Sequence, residues 1–391
     1  MSEIRNSRLL GKITILVMLG FVVNTAFALD GSGTQEDPWR IKSLDDFNDF
    51  AADANYWAGF TRLETDVNLA GRVYERAVIG DRYYDGGWIG TAFSGVFDGN
   101  DHKIINLTID GGTNDYLGLF GFIDDGEVRN LGLEGGSVIV SGMVVGGLVG
   151  ATKEGTISNC YSTVDVNGGG SVGGLMGSAS YHSISNCYST GDVSGTGDAI
   201  GGLIGYALGG VSNCYSTGNV SGDYQVGGLV GNNQASISNC YSTGDVNGVN
   251  YAGGLVGTNT GSVFDCYSTG DVQIGGVEEN GGLMGSNYGY VGDCFWDIDS
   301  QSHGITESIG VNGGPVKNVE GLPTTQMQTR STFTDADWDF INTWNIGENQ
   351  TYPYLRIYLA ADINKSGIVN FLDFAITANK WLEDARIEQL P

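Results

Sequence analysis

The chain has 391 residues, with 65 Gly, only 5 Pro and 10% aromatic residues. This balance describes a turn-rich but ordered chain and excludes collagen, a Pro-rich linker and a disordered polymer. Acidic residues outnumber basic ones 45 to 18, a net charge of −27, and no Lys or Arg lies between Glu154 and Val316, so nucleic acid, anionic lipid and uronates are excluded as partners gripped by a basic surface.

Residues 1–28 read as a secretory signal peptide. Arg5, Arg8 and Lys12 form a basic n-region, "ITILVMLGFVVNTAFA" is the apolar h-region, and Ala26-Phe27-Ala28 is a small-x-small cleavage site. The alternative is an uncleaved membrane anchor, but the apolar run is short for a span and contains Asn24 and Thr25. Removing the segment takes away three basic and one acidic residue and leaves 15 against 44. No second long apolar run follows, so a secreted or surface protein without a stable membrane span is expected.

Residues 29–100 form an N-terminal capping region. "SLDDFNDFAADA" predicts a short helix with Ser43 as N-cap and Asp46 three residues on, and Leu44, Phe47, Phe50 and Ala51 give it one apolar face. "FSGVFDGNDHKIINLTI" predicts strand, tight turn and strand, turning at Asp98-Gly99-Asn100.

A repeat occupies residues 101–300. "ISNCYSTVDV" at Ile157 returns as "ISNCYSTGDV" at Ile184 and Ile237, "VSNCYSTGNV" at Val211 and "VFDCYSTGDV" at Val263. The Cys residues fall at 160, 187, 214, 240, 266 and 294, and a Gly-Gly-Leu motif keeps the same beat at Gly146, Gly173, Gly201, Gly227, Gly253 and Gly281. Leu131 and Leu107 stand at the Cys position of fainter copies. A period of 26–28 residues built from short β-type runs predicts an all-β parallel β-helix, a β-solenoid of about eight coils. At the usual strand spacing, about eight coils make a rod about 35–40 Å long. A β-propeller is the rival, but its blades need roughly 40 residues or more.

In a solenoid each position lies above its equivalent. Ile157, Ile184, Val211, Ile237, Val263 and Val291 would form one internal column, and Leu148, Leu175, Leu203, Leu229, Leu255 and Leu283 another. The Gly residues beside each Leu are expected to take positive φ and bend the coil. Strict alternation would point Cys160 outward. A corner at Asn159 corrects this, because Asn tolerates the left-handed region; Asn130, Asn186, Asn213, Asn239, Asp265 and Asp293 would share that column. Tyr161, Tyr188, Tyr215, Tyr241 and Tyr267 would then form an outer stripe. Superposed Cys residues keep their Cβ atoms about 4.8 Å apart, wider than the roughly 3.8 Å of a disulfide, and no CxxC pair or His cluster suggests a metal. A buried packing column is expected. Asp165, Asp192, Asp245 and Asp271 form a further ladder, either weakly cation-binding or solvated turn residues.

Residues 301–358 form a C-terminal capping region. "TTQMQTRSTF" predicts a short helix or turn over the open end, and Trp338, Phe340, Trp344, Tyr352 and Tyr354 read as cap residues, with sugar stacking as the alternative. In residues 359–391, "DINKSGIVNFLD" has the spacing of a twelve-residue calcium loop. Asp362, Asn364 and Ser366 supply oxygens at positions 1, 3 and 5, and Gly367 allows the turn. Ile368 offers its carbonyl, Asn370 serves at position 9, and Asp373 closes the loop. Ser366 and the short Asp373 predict a modest Ca2+ affinity, around ~10⁻⁴–10⁻³ M. The competing reading is a solvated turn before a helix.

"DINKSGIVNFLDFAITANKWL" resembles one half of a dockerin type I module, which implies docking to a cohesin-like or other surface protein. "GGLVG…ISNCYSTGDVNG" resembles the GLUG repeat of bacterial secreted and surface proteins, a repeat that also occurs outside the catalytic part of immunoglobulin-A-cleaving metallopeptidases. The resemblance covers about residues 117–300 and implies an extracellular repeat protein.

Catalysis is not expected. His102, His182 and His303 sit in no HExxH, there is no GxSxG, and the repeated Asp residues form a ladder rather than a unique cluster. The reading is a secreted, non-catalytic adhesion, structural or carbohydrate-associated scaffold with a calcium-binding docking module. The alternative is a component of extracellular polysaccharide degradation, a glycoside hydrolase or an accessory binding subunit, for which a pair of carboxylates about 5–10 Å apart in a groove would be the mark.

Overall fold

A computed structural model of the chain describes residues 29–84, 87–274 and 279–356. The repeat folds as a parallel β-solenoid. One coil runs through strands Gly155–Ser158, Tyr161–Ser162, Asp165–Gly168, Ser171–Gly173 and Met176–Ala179. The first four belong to a 27-stranded sheet, and the last to an eight-stranded sheet running from Phe120–Ile123 to Ile309–Asn312. Successive coils superpose without slippage: Ile157 pairs with Ile184, then Val211, Ile237, Val263 and Val291.

The predicted columns are present. The Ile/Val column and the six Leu residues are fully enclosed. Each such side chain contributes roughly 1.5–3 kcal/mol on burial, so these two columns supply much of the apolar drive. All six Cys are buried and free. They stack, with the amide N of Cys187 donating to Cys214 Sγ at 3.4 Å and that of Cys214 to Cys240 Sγ at 3.4 Å. Burial pushes the thiols of Cys160, Cys214 and Cys266 well up, so they stay protonated packing groups. The corner that turns them inward is the predicted one: Asn130, Asn159, Asn186, Asn213, Asn239, Asp265 and Asp293 all lie at φ 51–55°. Asn159 and Asn186 each donate Nδ2 to the Oδ1 one coil back, at 3.0 and 3.1 Å.

Four expectations change. The Gly-Gly-Leu glycines do not take left-handed φ. Their role is close approach: a Cβ on Gly147 would lie 2.4 Å from Gly174 O and 2.5 Å from Ser162 Oγ. The same collision recurs between Gly174 and Ser189, Gly202 and Ser216, Gly228 and Ser242, and Gly254 and Ser268. Thus the Gly-Gly-Leu turn and the Ser of Cys-Tyr-Ser-Thr face each other across the interior, which explains why the two motifs keep one beat. Second, Leu107 pairs with Gly136, not with the Cys column: Lys103 is the partner of Gly132, so the position opposite Leu131 falls in the 99–102 corner, five residues before Leu107. Leu131 does occupy the column, adjoining the Gly132–Tyr161 pair.

Third, the ladder exceeds the expected 101–300. Parallel pairing already links Trp39–Ile41, Phe60–Leu63 and Val96–Asp98, and it continues to Val316–Leu322. The turn at residues 99–102 is accordingly a coil corner: Val96–Asp98 pairs with Gly126–Arg129, and Lys103–Gly112 with Gly132–Val140. At the N-terminal end the helix Leu44–Ala52 buries Phe47 and Phe50. Ser43 Oγ accepts from Asp46 N at 3.1 Å, and Asp46 Oδ2 accepts from Lys42 N at 2.9 Å. At the other end Trp296 pairs with Ser268 and fills the space the Ser leaves; its Nε1 donates to Ser308 Oγ at 2.8 Å.

The aromatic C-terminal segment was expected over the open end, but it lies along a flank. Helices Thr324–Met327 and Arg330–Thr334 and the residues up to Leu355 form a second core with Tyr267 and Phe295. The physical reason is supply: Trp296 already plugs the interior, whereas the tyrosine stripe offers a large uncovered aromatic surface. Trp338 and Trp344 are buried in this strap, which removes them as sugar-stacking residues.

Candidate functional site: a polar trough along the coils

After each Tyr-Ser pair the chain alternates. Val166, Val193, Val220, Val246 and Val272 point into the core, so their neighbours on either side point to solvent. One outward column is Asp165, Asp192, Asn219, Asp245 and Asp271. The other is Asn167, Ser194, Ser221, Asn247 and Gln273, which pair directly in that order. Two shallow depressions lie on this face, of about 290 and 320 Å³. Both are lined by Ser194, Ser221 and Asn247, so they form one trough, bordered by Asp192 and Asp245 on one side and by Asp223 and Val249 on the other.

The carboxylates of this face have backbone work. Asp165 Oδ1 accepts from Asp192 N at 3.0 Å, Asp192 Oδ1 from Asn219 N at 2.9 Å, and Asp245 Oδ1 from Asp271 N at 3.0 Å. Each caps a corner amide that lacks a ladder partner. Among the described residues no group of three or more His, Cys, Asp or Glu could hold a metal ion. The trough therefore offers hydroxyls, carboxamides and single carboxylate oxygens at a spacing of about 4.8 Å, with no cation.

The Asp column ends at Asp271, beside Ser302 and His303. Burial pushes this carboxyl up, but hydrogen bonds from Ser302 and His303 outweigh it and hold the group below the usual carboxylate range. The trio is not a hydrolytic relay. His303 Nδ1 meets Asp271 Oδ2 at 2.9 Å and Ser302 Oγ at 3.0 Å, whereas a triad holds its carboxylate and nucleophile on opposite ring nitrogens. His102 is likewise engaged, its Nδ1 3.1 Å from Asp66 Oδ1.

The tyrosine stripe is the other continuous surface feature. Rings from Tyr161 to Tyr267 stack with centroids 4.8–5.1 Å apart and planes within 1–6° of each other. The outer face of Tyr161 rests on Gly132, where a Cβ would come within 2.5 Å of the ring. Every ring from Tyr161 to Tyr241 thus has both faces occupied, and a sugar can meet only edges and hydroxyls.

The calcium ligands expected at Asp362, Asn364, Ser366, Ile368, Asn370 and Asp373 lie outside the described residues, as does the segment 1–28. Sequence reasoning found the Asp column but missed the adjoining Asn167–Gln273 column, although the Asp-Val-Asn/Ser alternation marks it. It also missed a buried amide ladder. Asn233, Asn259 and Asn287 each donate Nδ2 to the next Asn Oδ1 at 2.8–2.9 Å, ending at Asn312. The signal was there, an Asn four residues before each of Ile237, Val263, Val291 and Val316.

A family model for the GLUG motif matches residues 141–167, 168–194, 196–221, 222–247 and 248–273. The repeat is a GLUG repeat. Each matched GLUG unit ends on one trough residue, from Asn167 to Gln273, so the trough has one rung per GLUG repeat. Halomucin from Haloquadratum walsbyi is 33% identical over 148 residues, 35% of this chain. The chain spans only 2% of halomucin's length. The crystal structure of a candidate immunoglobulin A1 protease from Bacteroides ovatus shares the fold, with a TM-score of 0.55 and 22% identity, over 84% of this chain and 95% of that one. No helix among the described residues is long and apolar enough to cross a membrane.

Proposed function

We propose that this GLUG-repeat chain is an extracellular, non-catalytic scaffold that holds neutral carbohydrate along the trough. The observation that carries the reading is the regularity of the Asn167–Gln273 face, with polar groups in register through five coils and the neighbouring carboxylates committed to backbone N–H groups. An active site needs a unique constellation, and catalytic residues that break a repeat; here the same polar pattern recurs at each rung. The charge of −27 and the cation-free stretch from Glu154 to Val316 favour neutral glycans over uronates or sulfated chains. The signal-like segment 1–28 supports export. Asp362, Asn364, Ser366, Ile368, Asn370 and Asp373 would hold Ca2+, and the unit they begin would dock the scaffold to a cohesin-like or other surface protein.

Glycan-array binding by the intact protein, with calcium and with chelator, tests this. Neutral polysaccharides should bind and polyuronates should not. The triple variant Ser194→Ala, Ser221→Ala, Asn247→Ala should bind at least tenfold more weakly with an unchanged unfolding temperature. Unaltered binding by that variant would place carbohydrate elsewhere.

A further inference from the structure

The strap covers only part of the tyrosine stripe. Trp344 sits at 6.2 Å from Tyr241 and 6.0 Å from Tyr267, tilted by 47° and 50°. Its Nε1 donates to Asn239 Oδ1 at 3.2 Å. The hydroxyl of Tyr267 donates to Pro353 O at 2.5 Å. The strap core reaches back as far as Tyr215. Tyr161 and Tyr188, beyond it, are half-buried, and among the described residues neither belongs to the strap core.

These two rungs repeat the ring geometry of the covered ones, with the Tyr161 hydroxyl donating to Glu134 Oε1 at 2.6 Å. The Tyr161 and Tyr188 rings lie 4.8 Å apart and 1° from parallel, against 5.1 Å and 6° for Tyr241 and Tyr267. The corner backbones are alike, with φ 52° at both Asn159 and Asn239. A solenoid repeats its surface by translation, so what fits across Tyr241, Tyr267 and Asn239 also fits across Tyr161, Tyr188 and Asn159. The nearby charges are already matched, Lys103 Nζ with Glu134 Oε1 at 2.7 Å and His102 with Asp66 at 3.1 Å. Recognition there falls to aromatic edges and amides, and stacked sugars are excluded by the occupied ring faces.

We propose that the Tyr161–Tyr188 end of the stripe is a docking strip for an extended, tryptophan-bearing peptide segment of a partner protein. Its indole lies across the two phenol edges and donates its N–H to Asn159 Oδ1, as Trp344 does to Asn239. Asn159 Oδ1 already accepts from Asn186 Nδ2, and a carboxamide oxygen has a second lone pair to offer. The surface is continuous with the strap interface, and this inference is independent of the carbohydrate reading.

The test adds the strap sequence in trans. A fluorescent peptide of residues 335–356, "DADWDFINTWNIGENQTYPYLR", is titrated against the intact protein by anisotropy. One saturable site is expected. Replacing Trp344 by Ala in the peptide, or Tyr161 and Tyr188 by Ala in the protein, should weaken it at least tenfold while the protein stays folded by circular dichroism. If the double alanine variant does not fold, Tyr188→Leu preserves bulk and should give the same loss. No saturation at millimolar peptide would overturn the proposal. So would equal affinity in the tyrosine variants, which would mean exchange with the resident strap, or self-association lost with the same tyrosines, which would mean a second copy as occupant.

Discussion

Asn recurs at the coil corner because its short amide tolerates the left-handed region and can hydrogen-bond to its stacked copy. Asp265 breaks the series. Burial first, then the carboxylates of Asp293 and Asp337, push its carboxyl up to about 6, with Lys317 opposing. The folded state therefore binds a proton more tightly than the unfolded chain, whose Asp titrates near the ordinary 3.8. This contribution is present in full below the unfolded value and is lost as pH rises from about 4 to about 6. Asp265→Asn should accordingly stabilise the protein at pH 7 and lose its advantage below pH about 4. An unscreened shift of this size corresponds to about 3 kcal/mol, and partial exposure reduces the expected gain to about 1 kcal/mol. Urea unfolding at pH 7 and pH 4 measures the difference, and an equal effect at both values would contradict the assignment.

At the scale of the coil, the decisive contact is between a Gly and a Ser that are far apart in sequence. A Cβ on Gly202 would lie 2.2 Å from Gly228 O and 2.3 Å from Ser216 Oγ. The backbone oxygen is fixed by the next coil and cannot yield. Gly202→Ala should therefore destabilise the protein by roughly 1–3 kcal/mol, read by thermal unfolding, although its φ is not left-handed. This coil also shows what the sequence could reveal. Fixed-period columns such as Ile157–Val291 and Cys160–Cys294 are legible because stacking turns a repeat directly into contact. The Asn159 corner was legible because only a few residue types take φ near 52° without strain. The facing of Gly174 and Ser189 was not, since it depends on how the coil folds back across its interior. Leu107 misled because Asn106-Leu107 matches Asn130-Leu131 in sequence, whereas the backbone register places Leu107 five residues further along the coil, opposite Gly136.

Across the whole molecule, a regular rod is closed by irregular parts: Phe47 and Phe50 at one end, Trp296 at the other and the aromatic strap on a flank. The end plugs and the strap's seat were beyond the sequence, because aromatic composition shows that a segment must bury itself but not against which surface. Trp344 is fully enclosed between strap and stripe. Trp344→Ala should cost about 3–5 kcal/mol and make residues 323–356 the first site of limited proteolysis while the coils remain intact.

The trough is equally a property of the whole rod, since it exists only where five rungs stack. From Asn167 to Gln273 it spans four strand spacings, about 19 Å. Calorimetric titration of the intact protein with a series of neutral oligosaccharides of increasing length tests the central claim most directly. Affinity should rise with each added sugar until the ligand covers the five rungs, and then level off. An affinity independent of length, with the smallest sugar binding as well as the longest, would show that the repeated face is not a recognition surface.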